Sequence, residues 1–481
     1  MKIIYNFILT AFLLATSSTF YAQETPQKWT LEACIQHALE NNISVKQTQL
    51  DVENADIDIK EAIGNYLPTL NVGANNQWVS GLTQNITTGI LEQQVNRNFS
   101  VNATSSVPIF NGLANLRQFE RAKINRLAST YNLNQIKDDI SLAVANSYLQ
   151  VLVSKQSLIV LEEQNKVTQE QLKQTQALVD VGSIPEGEIL EIRAQNADEL
   201  RQIAIAQNDV QVSLIGLAQN LLIKDYENFD IADEDYDIPI TEILEKTPSE
   251  IIEKAKQERY EILVAEQDVE LAQKDLELAK SQYYPSLNAF FNFNSRESNR
   301  ENVISSGIDP NNPTETIGIV QNTGDEVVRP NFLLETVSAD PFFDQLENNY
   351  GYAFGLQLNI PVFNGFSVRN QVARSRINVE RSEFQLEQIE LNLESNVYQA
   401  YLDAQGAAKA YEAALQAVES QQTAFDYAQE RFEVGISNGF EFTQSKFRLT
   451  NAENQLIQAK YNFIFQIKVL ELFFGIRPVE Y

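Results

Sequence analysis

The residues of this chain that could do chemistry are almost all carboxylates. The 481 residues contain 65 Asp and Glu against 36 Lys and Arg, but a single His, His37, and a single Cys, Cys34. One His and one Cys cannot build a zinc site, a Cys–His nucleophile pair, a two-His haem site or a disulfide framework. The sequence has no HExxH motif and no Gly-rich loop for phosphate. These residues predict a protein that is not an enzyme and has no cofactor or metal site.

The carboxylates give the chain a net charge of −29 and a pI near 4.5. A surface this acidic repels phosphate backbones, so we expect no nucleic-acid partner. The densest acidic stretch, 225–250, holds ten acids and one Lys. It lacks the regular Asp spacing of a calcium-binding loop, so it is not a strong Ca²⁺ candidate. We interpret 225–254 as an acidic, solvated equatorial connector between helical regions.

The first residues are typical of a secretory signal peptide. Lys2 precedes an apolar run of about 13 residues, and small or polar residues lead to a predicted cleavage after Ala22. The apolar run is shorter than the ~20 residues that a membrane-spanning helix needs. No Cys follows it directly, so an N-terminal lipid is not expected. The sequence predicts a signal peptide at 1–22, export of the mature chain, and no transmembrane helix.

The mature chain contains an internal repeat, in which one unit occurs twice. The segment 107–112 (VPIFNG) recurs as 360–365 (IPVFNG), an offset of 253. Upstream, 67–71 (LPTLN) recurs as 284–288 (YPSLN), an offset of 217. The difference of 36 residues is an insertion in the second copy, which we place within 294–349. Such self-similarity indicates that the two halves share one architecture.

Each copy contains two segments in which apolar and polar residues alternate, which indicates strands with one apolar and one polar face. We predict β-hairpins over 67–108 and 284–362, the second with an extracellular insertion at 294–349. Each alternating run is about ten residues long, the length of a tilted membrane-spanning strand. A Pro-x-Phe-Asn-Gly step then changes the chain from strand to helix. The predicted strand-to-helix transitions are Pro108, Gly112, Pro361 and Gly365.

Long helices follow the strands. No Pro or Gly occurs between Leu113 and Asp180, so an uninterrupted helix there would extend about 100 Å. The second copy shows apolar residues at spacings of three and four, which is typical of a coiled coil. We predict the helical regions 23–66 (N-terminal segment and helix), 109–224 and 363–475 (each a long helix with its return helix), 255–283 (one helix), and a C-terminal tail at 476–481.

Four amphipathic strands are too few to close a barrel. The smallest membrane barrels have about eight strands, and an open sheet edge in lipid leaves backbone groups without hydrogen-bond partners. Other copies of the chain must therefore complete the sheet. Two copies would supply eight strands and three copies would supply twelve.

This combination resembles the TolC family of bacterial outer-membrane efflux channels. The similarity rests on WTLEACI at 29–35 with ALENN at 38–42, both Leu/Tyr-Pro-x-Leu steps, both Pro-x-Phe-Asn-Gly steps, and two Val-Gly turns followed by an acid. It implies a mixed membrane α+β fold: a homotrimer whose twelve strands form one transmembrane β-barrel, continued by a long antiparallel coiled-coil α-helical barrel. It also implies location in the Gram-negative outer membrane, with the helices in the periplasm.

The resemblance also implies partners and site residues. The partners would be outer-membrane lipid, a periplasmic adaptor (membrane fusion) protein and an inner-membrane pump. Two turns correspond to the helix tips that contact the adaptor, and acidic residues that follow them correspond to a pore constriction. Solvated carboxylates at helix starts are the alternative for these acids. The tip residues are Val181, Gly182, Ser183, Val434, Gly435 and Ile436, and the constriction residues are Glu188, Glu191 and Glu441.

The implied function is that of a passive exit duct in a tripartite efflux or type I secretion system. The alternative is a periplasmic coiled-coil tether that conducts nothing. A specific uptake porin is a third possibility, but long periplasmic helices serve no purpose in that role. The exported cargo is not identified by the sequence.

Overall fold

The computed structural model describes most of the mature chain. Its described residues are 28–84, 90–233, 236, 242–437 and 439–477. The predicted signal peptide, part of the acidic connector and residues 478–481 of the tail lie outside them. The chain divides into two compact units: a helical unit, Met1–Ala55 with Ile124–Glu270 and Glu380–Tyr481, and a sheet unit, Asp56–Lys123 with Leu271–Val379.

Helices dominate the described residues. In chain order they are α1 (Leu31–Asn41), α2 (Ile43–Gly64), α3 (Ala114–Asp180), α4 (Glu186–Asn220), α5 (Pro248–Glu258), α6 (Tyr260–Ser281), α7 (Phe342–Asn348), α8 (Ser367–Glu433) and α9 (Gly439–Phe473), with a short 3₁₀ turn at Glu242–Glu245. Helices α3 and α4 lie within the predicted helical region 109–224, and helices α8 and α9 lie within 363–475. None of the helices in the described ranges has a stretch apolar enough to cross a membrane.

Among the described residues, eight strands form three antiparallel sheets. They are β1 (Thr69–Gln84), β2 (Leu91–Asn111), β3 (Ser286–Ser298), β4 (Asn302–Ile308), β5 (Thr314–Ile319), β6 (Glu326–Pro330), β7 (Phe332–Val337) and β8 (Gly351–Asn359). The largest sheet has the strand order β1-β2-β3-β8, so the two copies contribute one hairpin each and meet at β2 and β3. Its edge strands are β1 and β8.

The sheet unit differs from the sequence prediction in two places. β2 continues past Pro108 to Asn111, because a bulge at Ile109 lets Phe110 pair again with Leu287. The insertion 294–349, to which the sequence assigned no secondary structure, is folded. It contains the end of β3, the hairpin partners β4 with β7 and β5 with β6, and helix α7, which packs on β3.

The helical unit is built around an apolar core. Its largest cluster joins α1, α3, α4 and α9, and it includes Cys34, Tyr148, Leu152, Leu217 and Ile464. Cys34 is fully buried in this cluster. The Tyr148 hydroxyl donates to the carbonyl of Ala232, over 3.1 Å.

Two features of this unit were not foreseen. The helix predicted over 255–283 corresponds to α6, but its first residues belong to α5, because the extended backbone of Arg259 separates α5 from α6. The start of the acidic connector is not simply solvated. Ile231 is fully buried and pairs with Trp29 in an isolated bridge, and Lys155 binds Asp233 over 2.8 Å. The connector is thereby fixed to α3.

Candidate functional site

The turn between α3 and α4 contains three of the predicted tip residues. Val181 is the first residue after α3, and Gly182 follows with φ +73°, a left-handed conformation that Gly adopts at little cost. The amide of Gly182 donates to the Val179 carbonyl over 2.8 Å, and that of Ser183 donates to the Leu178 carbonyl over 2.9 Å. This pair of bonds is a Schellman motif, which satisfies the last carbonyls of a helix.

The turn between α8 and α9 repeats this geometry. Gly435 has φ +74°, and its amide donates to the Phe432 carbonyl over 3.0 Å. The amide of Ile436 donates to the Arg431 carbonyl over 2.8 Å. Val181, Val434 and Ile436 are all strongly exposed. Both turns therefore present apolar side chains to solvent on a rigid backbone.

The predicted constriction acids lie next to these turns. Glu188 is in the first turn of α4, Glu191 is one turn further, and Glu441 is in the first turn of α9. All three are exposed, and Glu441 forms an ion pair with Arg431 over 3.6 Å. Within a single chain, no described ion pair or hydrogen bond joins the three acids to one another.

A buried polar cluster, absent from the sequence prediction, links three helices near the turns. It consists of Asn165 and Thr168 on α3, Glu199 on α4 and Lys446 on α9. The ammonium of Lys446 contacts the Glu199 carboxylate over 2.9 Å and also the Thr168 hydroxyl. The carboxylate accepts further bonds from Asn165, over 3.0 Å, and from Thr168, over 2.9 Å. Lys446 is 3% exposed and Glu199 is 7% exposed.

Opposing influences set the charge of this cluster. Burial by itself would raise the pKa of the Glu199 carboxyl, but hydrogen bonds from Gln195 and Thr168 and the charge of Lys446 outweigh it and hold that pKa below its ordinary value. Burial is also the largest influence on Lys446, and it lowers the pKa of the ammonium although Glu199 acts in the opposite direction. The carboxylate is thus firmly ionised at neutral pH.

The four-stranded sheet has two chemically different faces. Cross-strand partners share a face, so the register gives each face row by row. One row is Val72, Ala103, Phe293 and Tyr352, and the next row on that face is Leu70, Ser105, Phe291 and Phe354. On the opposite face the rows are Gly73, Asn102, Asn294 and Gly351, and then Asn71, Thr104, Asn292 and Ala353.

The apolar face is exposed, although exposure of a large apolar area to water is costly. The exposed side chains on this face include Leu70, Val72, Trp78, Tyr352, Phe354, Leu356 and Leu358. The opposite face carries Asn, Ser, Thr and Gly with few apolar side chains. The sheet is therefore suited to lie between an apolar medium and water.

The predicted strand-to-helix transitions lie where this sheet ends. Gly112 has φ +67°, and a Cβ added there would meet the Ser281 carbonyl oxygen at 2.3 Å, so only Gly fits. Gly365 has φ +62° in the second copy but has open space around it. Pro361 follows the end of β8, whereas Pro108 lies inside β2, beside the bulge.

Comparison with known proteins decides the family. The family model for outer membrane efflux proteins matches residues 34–221 and 251–466. This chain belongs to the outer membrane efflux protein family. The matched ranges contain both tip turns, all three acids and the whole four-stranded sheet. The predicted relationship to the TolC family is confirmed, and the protein is an outer-membrane protein.

Individual relatives agree with this assignment. The outer membrane protein TolC of Escherichia coli K12 is 22% identical over 445 residues, which cover 89% of this chain and 78% of TolC. The Campylobacter jejuni CmeC outer membrane channel has a TM-score of 0.72 at 15% identity, over 93% of this chain and 86% of CmeC. VceC from Vibrio cholerae has a TM-score of 0.69 at 14% identity, over 92% of this chain and 96% of VceC.

The family site thus contains both predicted and unforeseen residues. The tip turns and transitions have the local backbone geometry that their Gly residues suggested. The sequence did not predict the cluster around Lys446, because a single Lys on an amphipathic helix is normally expected to face solvent. A weak signal was present in α3, where Asn165, Thr168, Gln171 and Thr175 recur at spacings of three and four. Among the described residues, no group of His, Cys, Asp and Glu could hold a metal ion.

Proposed function

We propose that this protein is the outer-membrane exit channel of a tripartite efflux or type I secretion system. Three copies would form a twelve-stranded barrel in the outer membrane, and their helices would form a tunnel in the periplasm. A periplasmic adaptor and an inner-membrane pump would supply the energy and select the cargo. The channel itself would be a passive, water-filled path without catalytic chemistry.

The two-faced sheet is the observation that carries this proposal. Its apolar face suits lipid hydrocarbon, and its Asn-rich face suits a water-filled lumen. The apolar rows extend from Leu70 to Trp78 along β1, nine residues, which at a tilt of about 40° correspond to roughly 25 Å of membrane. The edge strands β1 and β8 supply the joints at which further copies would add.

Two helices support assembly from several copies. On α8, the exposed residues Ile377, Phe384, Leu391 and Tyr398 recur every seven positions, opposite the buried face of Leu393, Val397 and Ala404. On α2, the exposed residues Ile43, Leu50 and Ile57 recur in the same way, opposite buried Ala55 and Ala62. Apolar stripes on opposite sides of one helix fit a helix with a neighbour on each side.

The sheet order supports a specific joint between copies. α2 leads into the edge strand β1, and α8 follows the edge strand β8. If β8 of one copy pairs with β1 of the next, α8 and α2 of those copies become neighbours. The second stripes of α8 and α2 would then be buried against each other, as in a coiled coil.

The tips are the proposed adaptor contact and gate. Exposed Val181 and Ser183 in one turn, and Val434 and Ile436 in the other, would contact the adaptor, with Gly182 and Gly435 fixing the turns. Glu188, Glu191 and Glu441 would form the acidic constriction. Opening would require α8 and α9 to move away from α3 and α4. The Lys446–Glu199 pair supports a closed resting state, because it joins α9 to α4 and α3.

Conductance in a planar bilayer tests the proposal. The purified oligomer should give discrete channels, and Glu441→Gln should change the conductance or reduce the preference for cations. Asp325→Asn, in the turn between β5 and β6, is the matched control and should leave both unchanged. A tube that never conducts, even with the tips widened by Glu188→Ala and Glu441→Ala, would favour the alternative of a non-conducting tether.

Export in cells tests the gate separately. A disulfide introduced between the α8–α9 turns of neighbouring copies should stop export, and reduction should restore it. Continued export through a quantitatively cross-linked tip would contradict gating at this position while leaving the channel proposal intact.

A further inference from the structure

The two strand-to-helix transitions share an unusual backbone feature. Leu113 and Phe366, which follow Gly112 and Gly365, also have positive φ values, +68° and +64°. A left-handed conformation is costly for a bulky residue, because its Cβ lies too close to a neighbouring carbonyl oxygen. Both side chains are nevertheless exposed, Leu113 by 50% and Phe366 by 57%. Strain that recurs in both copies, without a buried contact to repay it, indicates a role outside the isolated chain.

In the first copy, Leu113 lines a groove with a volume of about 320 Å³. The groove lies between the β2–α3 transition and the end of α6. Its apolar wall is formed by Phe110, Leu113 and Tyr284, and its cations are Arg117 and Lys280. Glu277 also lines the charged side, so one half of the groove is apolar and the other half carries two cations and one carboxylate, a net positive charge.

The groove continues the apolar face of the sheet. Phe110 is the cross-strand partner of Leu287, which is in turn the partner of Leu358. These three side chains therefore share the face that carries Leu70 and Phe354. The apolar wall of the groove is the last row of that face, at the end where the chain enters α3.

The charge of the groove is opposite to that of the protein. The start of α3, 114–126, has four cationic residues and one acid, in a chain with a net charge of −29. Arg117 contacts Glu120 over 2.8 Å and Glu277 over 3.1 Å, so its charge is partly compensated. Lys280 is exposed, and no ion pair to it occurs among the described residues. It is the groove cation available to an anionic ligand.

We propose that this groove binds an anionic glycerophospholipid from the periplasmic leaflet. Lys280 would bind the phosphate, Arg117 would add a second positive charge, and an acyl chain would lie on Phe110, Leu113 and Tyr284. An anion with an attached hydrocarbon chain is the ligand that matches a cation beside an apolar wall. The inference rests on the proposed membrane position of the sheet. It assigns the strained Leu113 a purpose, which is to hold an apolar side chain against lipid.

Native mass spectrometry of the detergent-purified oligomer tests this site. Phosphatidylglycerol should bind more tightly than phosphatidylcholine, and Lys280→Gln should weaken phosphatidylglycerol binding about fivefold, the effect of about one basic residue near an anionic lipid. Lys409→Gln, which removes an exposed Lys from α8, is the matched control and should bind like the wild type. Raised salt should reduce the difference between the two lipids.

Leu113→Gly provides a second test that does not endanger the fold. Gly adopts the left-handed backbone without strain, so this variant should unfold no more easily than the wild type. It should nevertheless bind phosphatidylglycerol more weakly, because part of the acyl wall is gone. Leu116→Gly would not serve as a control, because Gly inside a helix is destabilising. Leu116→Ala, one turn into α3, keeps the helix and should bind lipid normally.

The outcomes separate this inference from the proposed function. Conducting channels that bind both lipids equally, or that lose nothing with Lys280→Gln and Leu113→Gly, would overturn the lipid site alone. An oligomer that neither conducts nor inserts into bilayers would instead refute the channel. Equal weakening by Lys280→Gln and Lys409→Gln would show a non-specific charge effect, and it too would overturn the site.

Discussion

Helix α3 passes through two cores of opposite chemistry within the helical unit. Around Val144, Tyr148 and Leu152 it is packed against apolar side chains of α1, α4 and α9. About four to six turns beyond Leu152, the buried residues of α3 are Asn165, Thr168, Gln171 and Thr175. There the contacts to α4 and α9 are made through Glu199 and Lys446.

This difference suggests how one long helix, α3, can be held in place in one region and be able to change its packing in another. Apolar packing is non-directional and adds up over many contacts, so it gives a core with no discrete alternative. A buried ion pair contributes little net stability, but it is costly to break on one side only. It therefore specifies one arrangement and allows a second in which both partners regain water. We infer that the apolar region is scaffold and the polar region next to the tips is the movable part.

The largest expected effect is the loss of one partner from the polar core. Lys446→Met leaves the Glu199 carboxylate buried without its counterion, which should cost about 3–5 kcal/mol of unfolding free energy. Urea unfolding followed by far-UV circular dichroism measures the change. Lys173→Met, which removes an exposed Lys paired with Glu170, should cost less than 1 kcal/mol. Replacing both partners, as Lys446→Met with Glu199→Gln, should recover part of the loss; no recovery would mean that the two residues act independently.

Truncation in the apolar core is expected to have a comparable or slightly smaller effect. Leu152 is fully buried, so Leu152→Ala should cost about 2–5 kcal/mol through lost burial and the cavity it leaves. The same urea titration measures it, with exposed Leu178→Ala on the same helix as the control. Export assays distinguish the two cores. Leu152→Ala should leave gating unchanged at temperatures where the protein is folded, although it lowers stability. A leaky channel from Leu152→Ala would remove the distinction.

A subtler change in the polar core keeps its charges. Thr168→Val removes the hydroxyl that donates to Glu199 and contacts Lys446, with almost no change in side-chain volume. The loss of these buried hydrogen bonds should cost about 1–3 kcal/mol. Thr130→Val is a suitable control, because its exposed hydroxyl bonds only to the helix carbonyl of Arg126. Equal stability of the two variants would show that Thr168 is not part of a coupled cluster.

The smallest effect is a dependence on pH. Because the pKa of Glu199 lies below its ordinary value of 4.5 in the folded protein, its contribution is fully present above that value. It is lost as the pH falls further, through the lower folded pKa. The stability difference between the wild type and Glu199→Gln should therefore be constant near neutral pH and shrink in acid. A difference that stays constant as the pH falls well below 4.5 would contradict a charged Glu199.

The elements of the fold could be predicted from periodicity because they are long and regular. The run of residues from Leu113 to Asp180 without Pro or Gly allows little except a helix, and the observed helix α3 begins one residue later. The alternation along β8 likewise defines both the strand and its apolar face. The bulge at Ile109 and the break at Arg259 were missed, because each is imposed by neighbouring elements rather than by a Pro or Gly at the site.

In the candidate site, only the turns could be predicted from the residues themselves, because they require Gly. Gly182 and Gly435 mark their turns because Gly is favoured in the left-handed conformation. The polar cluster joins residues 278 positions apart, Thr168 and Lys446, and no local pattern connects them. The acids Glu188, Glu191 and Glu441 were selected by family resemblance, and of the three only Glu188 and Glu191 share a helix. Their grouping would depend on symmetry between copies, which one sequence cannot display.

Cys34 has a practical consequence for every experiment above. It is the only thiol in the chain, and it is fully enclosed in the apolar core with Tyr148 and Leu217. A thiol-reactive dye should therefore ignore the folded protein and label it only when that core opens. Any Cys introduced at the surface becomes a unique attachment point without prior mutation of the native one. The rate at which Cys34 is labelled therefore reports how often this core opens.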